Sequence, residues 1–526
     1  MTDVKMEDKK QWDFDDLLPH VGEFGRYQKL LVWLVCLPAC IPCGFHAFNQ
    51  LFMANVPDHW CKTPPDLEQQ NWTLIERKMA TIPYTVNQGV MEFSKCTMFN
   101  VSEPTDGNNI TDCLYGWEFD NSTVSSSIVI DFELVCSRSL YPTIGLSLLN
   151  VGGIIGVYIF GVISDRVGRK ISFFLCLGVE LAGGFLTALA PNFWLWAACR
   201  FVVGRLFYTL GMLLLSGVAY VVRDWTHLCY ATTLPFLVFF IYLVYLPESP
   251  RWLMSQGRFA EVKSIMKTCA KINGKEFPEH LLPQLERKMT ENRNSSLSRQ
   301  STPKEHRKVV GVMSLFRTPN MRLKTILITF NWFANNTVYV GLSYYGPVMG
   351  TDEYFSFFLS GLVEIPGYLF CWAVMDRWGR RWPLCMLMVV GGLFCVATVL
   401  MPADAVNETL ILYLIAKFAI AASFLILYPF AGELYPTEVR GIFTAYLGGL
   451  GLAVIPFVNY LGSEMLVLPL VVMGFISAIG GVVGLRLPET LFKKLPQTME
   501  EGEEFGKDFG MRECLQCIPE KPEESI

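Results

Sequence analysis

The sequence predicts an all-α membrane protein built as two pseudo-repeated helical bundles with 11 to 12 spans in total. Three observations carry that prediction: an apolar composition, a series of long apolar stretches, and two copies of a short charged motif. Of 526 residues, 52% are apolar and 17% are charged, against about 25% charged in ordinary soluble chains. A soluble fold would have to bury that apolar surface against itself, whereas lipid-facing side chains need no such burial. The net charge of −5 comes with no long basic field or nucleic-acid motif, which argues against a nucleic-acid partner. The partner that composition does imply is a lipid bilayer.

Stretches long enough to cross about 30 Å of hydrocarbon at 1.5 Å per residue fall at 30–53, 141–163, 171–190, 228–247, 324–345, 354–375, 383–402, 410–430, 441–461 and 466–486. A further apolar stretch, 193–222, contains Arg200 and Arg205. The implied division is a cytosolic N-terminus 1–29, a first span 30–53, a large loop 54–140, and the rest of the first bundle over 141–247. A second loop follows at 248–323, then a second bundle over 324–486 and a cytosolic tail over 487–526. The first span follows a polar segment without a small-residue cleavage site and reads as retained.

The loop 54–140 carries 12 Asp and Glu against 5 Lys and Arg, and four N-x-S/T sequons at Asn71, Asn100, Asn109 and Asn121. It also holds Cys61, Cys96, Cys113 and Cys136. Clustered sequons with an even cysteine count suit an oxidising, glycosylated compartment. Two disulfides are expected, with three pairings open. Segment 251–324 has the opposite character, 16 Lys and Arg against 6 Asp and Glu. By the positive-inside rule it lies in the cytosol, with the loops Asp165-Arg-Val-Gly-Arg-Lys170 and Asp376-Arg-Trp-Gly-Arg-Arg381. This orientation suits a multi-pass protein of the plasma membrane.

Those two loops are near copies, and each bundle ends on a second shared motif, Leu246-Pro247-Glu248-Ser249 and Leu487-Pro488-Glu489-Thr490. Repeated halves of this kind are a feature of many secondary transporters. The halves are unequal: 82 residues separate Asp165 from Pro247, and 112 separate Asp376 from Pro488. Lys417 in the second half stands in a place similar to Arg200 in the first, so the shortfall lies after Arg200. Parity gives the same answer. Single crossings by 171–190, 193–222 and 228–247 would leave the basic loop after Pro247 on the wrong side. The expectation is one tilted span over 193–222 in a chain shortened near 204–206.

At these residues the sequence resembles the organic cation, organic anion and carnitine transporter family (solute carrier family 22-like) of the major facilitator superfamily. The resemblance includes Asp13-Phe-Asp-Asp16, Gly22-Glu-Phe-Gly25-Arg-Tyr-Gln28, Asp131-Phe-Glu-Leu-Val-Cys136, Pro247-Glu-Ser-Pro-Arg-Trp-Leu253 and Glu433-Leu-Tyr-Pro-Thr-Glu-Val-Arg440. It implies the major facilitator fold and alternating-access transport of small organic ions, with organic cations or carnitine-like zwitterions preferred. A shortened, non-transporting regulatory form is the alternative reading. A sugar porter is disfavoured by the 87-residue first loop. A homo-oligomer is compatible with this class.

Gating is expected from Asp165, Arg166, Arg169, Asp376, Arg377 and Arg380. Asp165 and Asp376 are read as starting the helix after each loop, and the arginines as pairing across the halves in the outward-facing state and releasing on opening. Glu248, Arg251, Glu433 and Arg440 join this group through their motifs. Glu364, beside Pro366, is an ionisable group inside a span and so a candidate for attracting a cation. An ion pair with Lys417 or Arg200 is the competing reading. Trp332 and Tyr339 sit seven apart on one helix face and suit amine binding by cation–π attraction, with Phe424 and Tyr428 as further candidates. Seven residues before Pro456, where the family often carries Asp or Arg, this chain has Gly449. No phosphate loop, metal spacing or nucleophile–base set stands out, so neither an enzyme nor a cofactor or metal is expected.

Overall fold

The computed structural model describes the chain except residues 1–13, 66–71, 100–109, 203–208, 278–314, 436–449 and 511–526, and positions 23, 88–89, 123, 403, 464, 466, 494–495, 497–498 and 508–509. Asn71, Asn100, Asn109, Arg440 and Gly449 therefore lie outside the described residues. A short helix α1 (Phe14–Val21) precedes α2 (Arg26–Met53), the first span. In the loop, α3 (Leu74–Thr81) is closed by a capping box between Thr73 and Glu76. The first bundle continues with α4 (Tyr141–Val167), α5 (Arg169–Ala188), α6 (Phe193–Val202), α7 (Thr209–Val221) and α8 (Trp225–Tyr245). Two amphipathic helices follow, α9 (Pro250–Ser255) and α10 (Phe259–Asn273).

The second bundle comprises α11 (Pro319–Tyr345), α12 (Glu353–Trp378), α13 (Arg381–Leu400), α14 (Val406–Leu434), α15 (Leu450–Tyr460) and α16 (Leu468–Gly484). A tail helix, α17 (Met499–Glu504), docks beneath α11, where Glu503 accepts from the first backbone N–H groups of α11 at Asn320 (2.9 Å) and Met321 (2.8 Å). Among the described residues, seven helical segments are long and apolar enough to cross a membrane. Helix α11 is as long but carries the buried Asn331, Asn335 and Asn336. Polar side chains at membrane depth face the protein interior because lipid offers them no partner.

The described residues of the loop 54–140 include three two-stranded antiparallel ribbons. These are β1 (His59–Cys61) with β6 (Trp117–Phe119), β2 (Tyr84–Asn87) with β3 (Val90–Phe93), and β4 (Thr97–Phe99) with β5 (Ile110–Asp112). Two-stranded ribbons have little core of their own, and disulfides Cys61–Cys113 and Cys96–Cys136 tie them together. Of the three pairings left open by the sequence, this is the one formed. Asn121 is exposed in a turn.

One span reading is corrected. The described residues within 193–222 form two helices of ten and thirteen residues, not one tilted span. Both outer ends lie beside the 54–140 loop. Phe193 stacks on Tyr141 at 5.3 Å, and the Ser125 N–H donates to the Arg223 carbonyl at 3.2 Å. Both inner ends stop partway along α2. Arg200 donates to the His46 carbonyl at 2.9 Å, and a Cβ on Gly211 would lie 2.6 Å from the Ile41 carbonyl. At 1.5 Å per residue the two helices reach about 15 and 20 Å. The chain thus enters from the loop side and returns to it, so α8 then carries it across to the basic side. That settles the parity conflict: Trp252 Nε1 donates to the Asp165 carbonyl at 2.9 Å, placing the Pro247 segment beside the first basic loop. Close approach makes the half-depth packing workable. A Cβ on Gly152 of α4 would sit 1.8 Å from the Phe201 carbonyl, a contact only glycine permits.

Candidate functional site

In each half the two repeated motifs meet. Gly168 (φ 111°) and Gly379 (φ 84°) have backbone conformations that L side chains rarely adopt, and they end α4 and α12. The next helices start immediately, leaving unpaired N–H groups. Glu248 accepts from the Arg169 N–H (2.9 Å) and the Lys170 N–H (3.0 Å). Glu489 accepts likewise from Arg380 (2.9 Å) and Arg381 (3.0 Å). The carboxylates at these positive helix ends are therefore Glu248 and Glu489. Asp165 and Asp376 instead lie in the last turns of α4 and α12, which corrects the expectation that they start the following helices.

The charged loop residues pair within their own halves. Arg169 bonds Asp165 at 2.7 Å. Arg380 lies 3.2 Å from Glu433 and 3.9 Å from Asp376. Among the described residues these arginines form no ion pair across the halves in this conformation, and the pairing expected of the outward-facing state concerns a different one; Arg166 and Arg377 are exposed. The seam between the halves is closed nearer the loop side. There Phe52 stacks on Tyr354 at 5.3 Å, Phe48 meets Phe357 edge-on at 5.4 Å, and Asn55 bonds Glu353 at 2.8 Å. Deeper in, Tyr344 donates to Asn150 at 3.0 Å. These seam residues escaped the sequence reading, although Asn150 in an otherwise apolar helix was a usable signal.

The four aromatic candidates form one cluster. Tyr339 stacks on Phe424 at 4.6 Å, with ring planes 8° apart. Trp332 meets Tyr428 edge-on at 4.7 Å, and Phe424 meets Tyr428 at 5.2 Å. Helix spacing explains this: 332 and 339 share a face of α11, and 424 and 428 are one turn apart on α14. Trp332 and Tyr339 are buried, and Tyr428 is half exposed at 51%.

The protein's own cation touches this cluster. Lys417 Nζ lies 4.1 Å from the Tyr339 ring centre and 2.9 Å from Glu364 Oε1, with both side chains of the ion pair fully buried. Lys417 also donates to Ser343 Oγ, and Tyr368 donates to the other Glu364 oxygen at 2.9 Å. The ion pair weighed for Glu364 is present, and its partner is Lys417. Ser343 and Tyr368 are further members that the sequence did not single out. The arrangement can hold an ammonium group against ring faces and adjust a carboxylate beside it.

Comparison with known proteins agrees in kind. The family model described as "Sugar (and other) transporter" matches residues 85–207 and 205–501, its two stretches meeting within the undescribed segment 203–208. The chain is 51% identical to the carcinine transporter of Drosophila melanogaster over 564 aligned positions, covering 97% of this chain and 82% of that protein. It is 39% identical to the beta-alanine transporter of the same organism, covering 96% and 91%. Identity to organic cation transporter 1 of Caenorhabditis elegans is 33%, covering 97% and 92%. The first of these alignments is longer than the chain's 526 residues, so it opens gaps in this chain.

Proposed function

Because the chain belongs to the organic cation, anion and carnitine transporter branch of the sugar (and other) transporter family, we propose that it carries small organic ammonium ions, cations or zwitterions, across the membrane by alternating access. The observation that carries this reading is the cluster of Trp332, Tyr339, Phe424 and Tyr428 beside the Lys417–Glu364 pair. Ring faces attract ammonium groups most strongly where water is excluded, and the relatives named for beta-alanine and organic cations handle solutes of this kind. An incoming ammonium competes with Lys417 for the Tyr339 face, and Glu364 supplies the balancing charge.

The loop side is read as extracellular and the basic side as cytosolic at the plasma membrane. Closure of the seam near the loop side then corresponds to an inward-facing conformation. In the opposite state Arg169 and Arg380 exchange their partners within each half for partners across the seam, where Arg166 and Arg377 pair as well, with Glu248, Arg251, Glu433 and Arg440 in supporting positions. No catalytic step is involved. The membrane potential or an exchanged solute supplies the driving force.

Uptake of labelled beta-alanine, carnitine and tetraethylammonium into cells expressing the chain tests this. Saturable uptake of at least one above mock-transfected cells is expected. Background uptake of all three, with the chain verified at the cell surface, overturns the proposal.

A further inference from the structure

The first bundle contains a buried positive charge to which the described residues offer no counter-charge. Arg200 on α6 is fully buried. Its Nη2 donates to two neutral acceptors, the His46 carbonyl at 2.9 Å and Asn49 Oδ1 at 2.7 Å. Among the described residues no carboxylate pairs with it. Its Nε and Nη1 have no acceptor. Lys417 stands at a similar place in the second bundle and is equally buried, yet it has Glu364 at 2.9 Å. One half of the repeat neutralises its internal cation and the other does not. A guanidinium stays protonated in proteins, so burial without a partner is costly.

Other unsatisfied polar groups lie on its own helix and on the neighbouring α2 and α8. Both ring nitrogens of His46, Trp196 Nε1 and Thr233 Oγ1 lack partners, and all three residues are at least nine-tenths buried. The Trp196 ring lies 6.0 Å from the guanidinium. The His46 ring and the Thr233 hydroxyl meet at one point of α5, each with an atom 2.6 Å from where a Cβ on Gly184 would stand. Asn49 donates to Thr232 Oγ1 at 3.4 Å, which turns its carbonyl oxygen toward Arg200. The unfilled groups are mostly donors.

We propose that Arg200, His46, Trp196 and Thr233 form a binding site for a small monoanion. The anion is either an inorganic ion such as chloride or the carboxylate of a zwitterionic solute, since both accept charge-assisted hydrogen bonds from the same donors. The site lies in the half opposite the aromatic cluster and stands whatever amine that cluster takes.

The test uses the purified full chain in detergent, with its thermal unfolding midpoint followed in sodium gluconate as chloride, acetate or beta-alanine replaces gluconate at constant ionic strength. A ligand that binds only the folded state raises the midpoint saturably. A rise with chloride assigns the inorganic ion; a rise with acetate and beta-alanine but not chloride assigns the carboxylate. Arg200→Gln is expected to weaken either effect by about tenfold or more. No anion-specific rise, or an equal rise in Arg200→Gln, overturns the proposal. Should that variant not fold, His46→Leu and bromide anomalous scattering from crystals replace it. Where chloride raises the midpoint, a bromide peak in contact with the guanidinium supports the site, and its absence at concentrations that saturate the halide shift overturns it; where only carboxylates raise it, an equal rise in His46→Leu overturns it.

Discussion

Lys417 and Glu364 form an ion pair of 2.9 Å between two fully buried side chains, one on α14 and one on α12. Removing either charge strands the other, which costs about 3–5 kcal/mol for buried pairs. Glu364→Gln is therefore expected to lower both the thermal midpoint and cation uptake. The double variant Glu364→Gln, Lys417→Met should regain the midpoint without regaining uptake. Full uptake by the double variant would remove the pair from the transport site.

Tyr339 touches both Phe424 and Lys417. A cation–π contact is worth about 0.5–2 kcal/mol, so Tyr339→Leu should raise the apparent KM for an organic cation roughly two- to thirty-fold. Tyr339→Phe keeps the ring face and should stay near the parent value. Equal KM values for the Leu and Phe variants would show that the ring does not meet the solute.

Glu248 and Glu489 cap the helices after the two basic loops. Charged hydrogen bonds of this kind contribute about 1.5–3 kcal/mol, so Gln at either position should lower the thermal midpoint. Glu489 is more buried and accepts from both the Thr490 and Leu491 N–H groups, where Glu248 has the Ser249 N–H as the counterpart of the first. The larger loss is expected there, and a larger loss at Glu248 would contradict the assignment.

Helices α6 and α7 both have their outer ends on the loop side. An impermeant maleimide should label Asn192→Cys and Arg223→Cys from the same face that exposes Asn121, and Arg251→Cys only from the other. Labelling of 192 and 223 from opposite faces would restore the single tilted span.

The disulfides give a direct chemical test. Proteolysis without reduction, followed by mass spectrometry, should recover Cys61 linked to Cys113 and Cys96 linked to Cys136. A Cys61–Cys96 or Cys61–Cys136 linkage would contradict this loop fold.

Much of this protein is written in local sequence. Apolar runs of span length, the acidic loop with its cysteines, the basic connections and the duplicated motifs depend on composition and spacing, so they are readable without coordinates. The same holds for the face shared by Trp332 and Tyr339, which follows from helical periodicity. The shortfall after Arg200 was also legible as a count, because two repeats can be compared residue by residue.

What needed the tertiary structure is every pairing between distant segments. Sequence leaves Glu364 a choice between Lys417 and Arg200, and only the packing of α12 on α14 decides it. It leaves the cysteines three pairings and gives the repeated glutamates no partner, because which carboxylate reaches a helix end depends on two segments about 80 to 110 residues apart meeting in space. The path of 193–222 is of the same kind. A run of apolar residues fixes that a segment enters the membrane, while its neighbours fix whether it crosses or turns back.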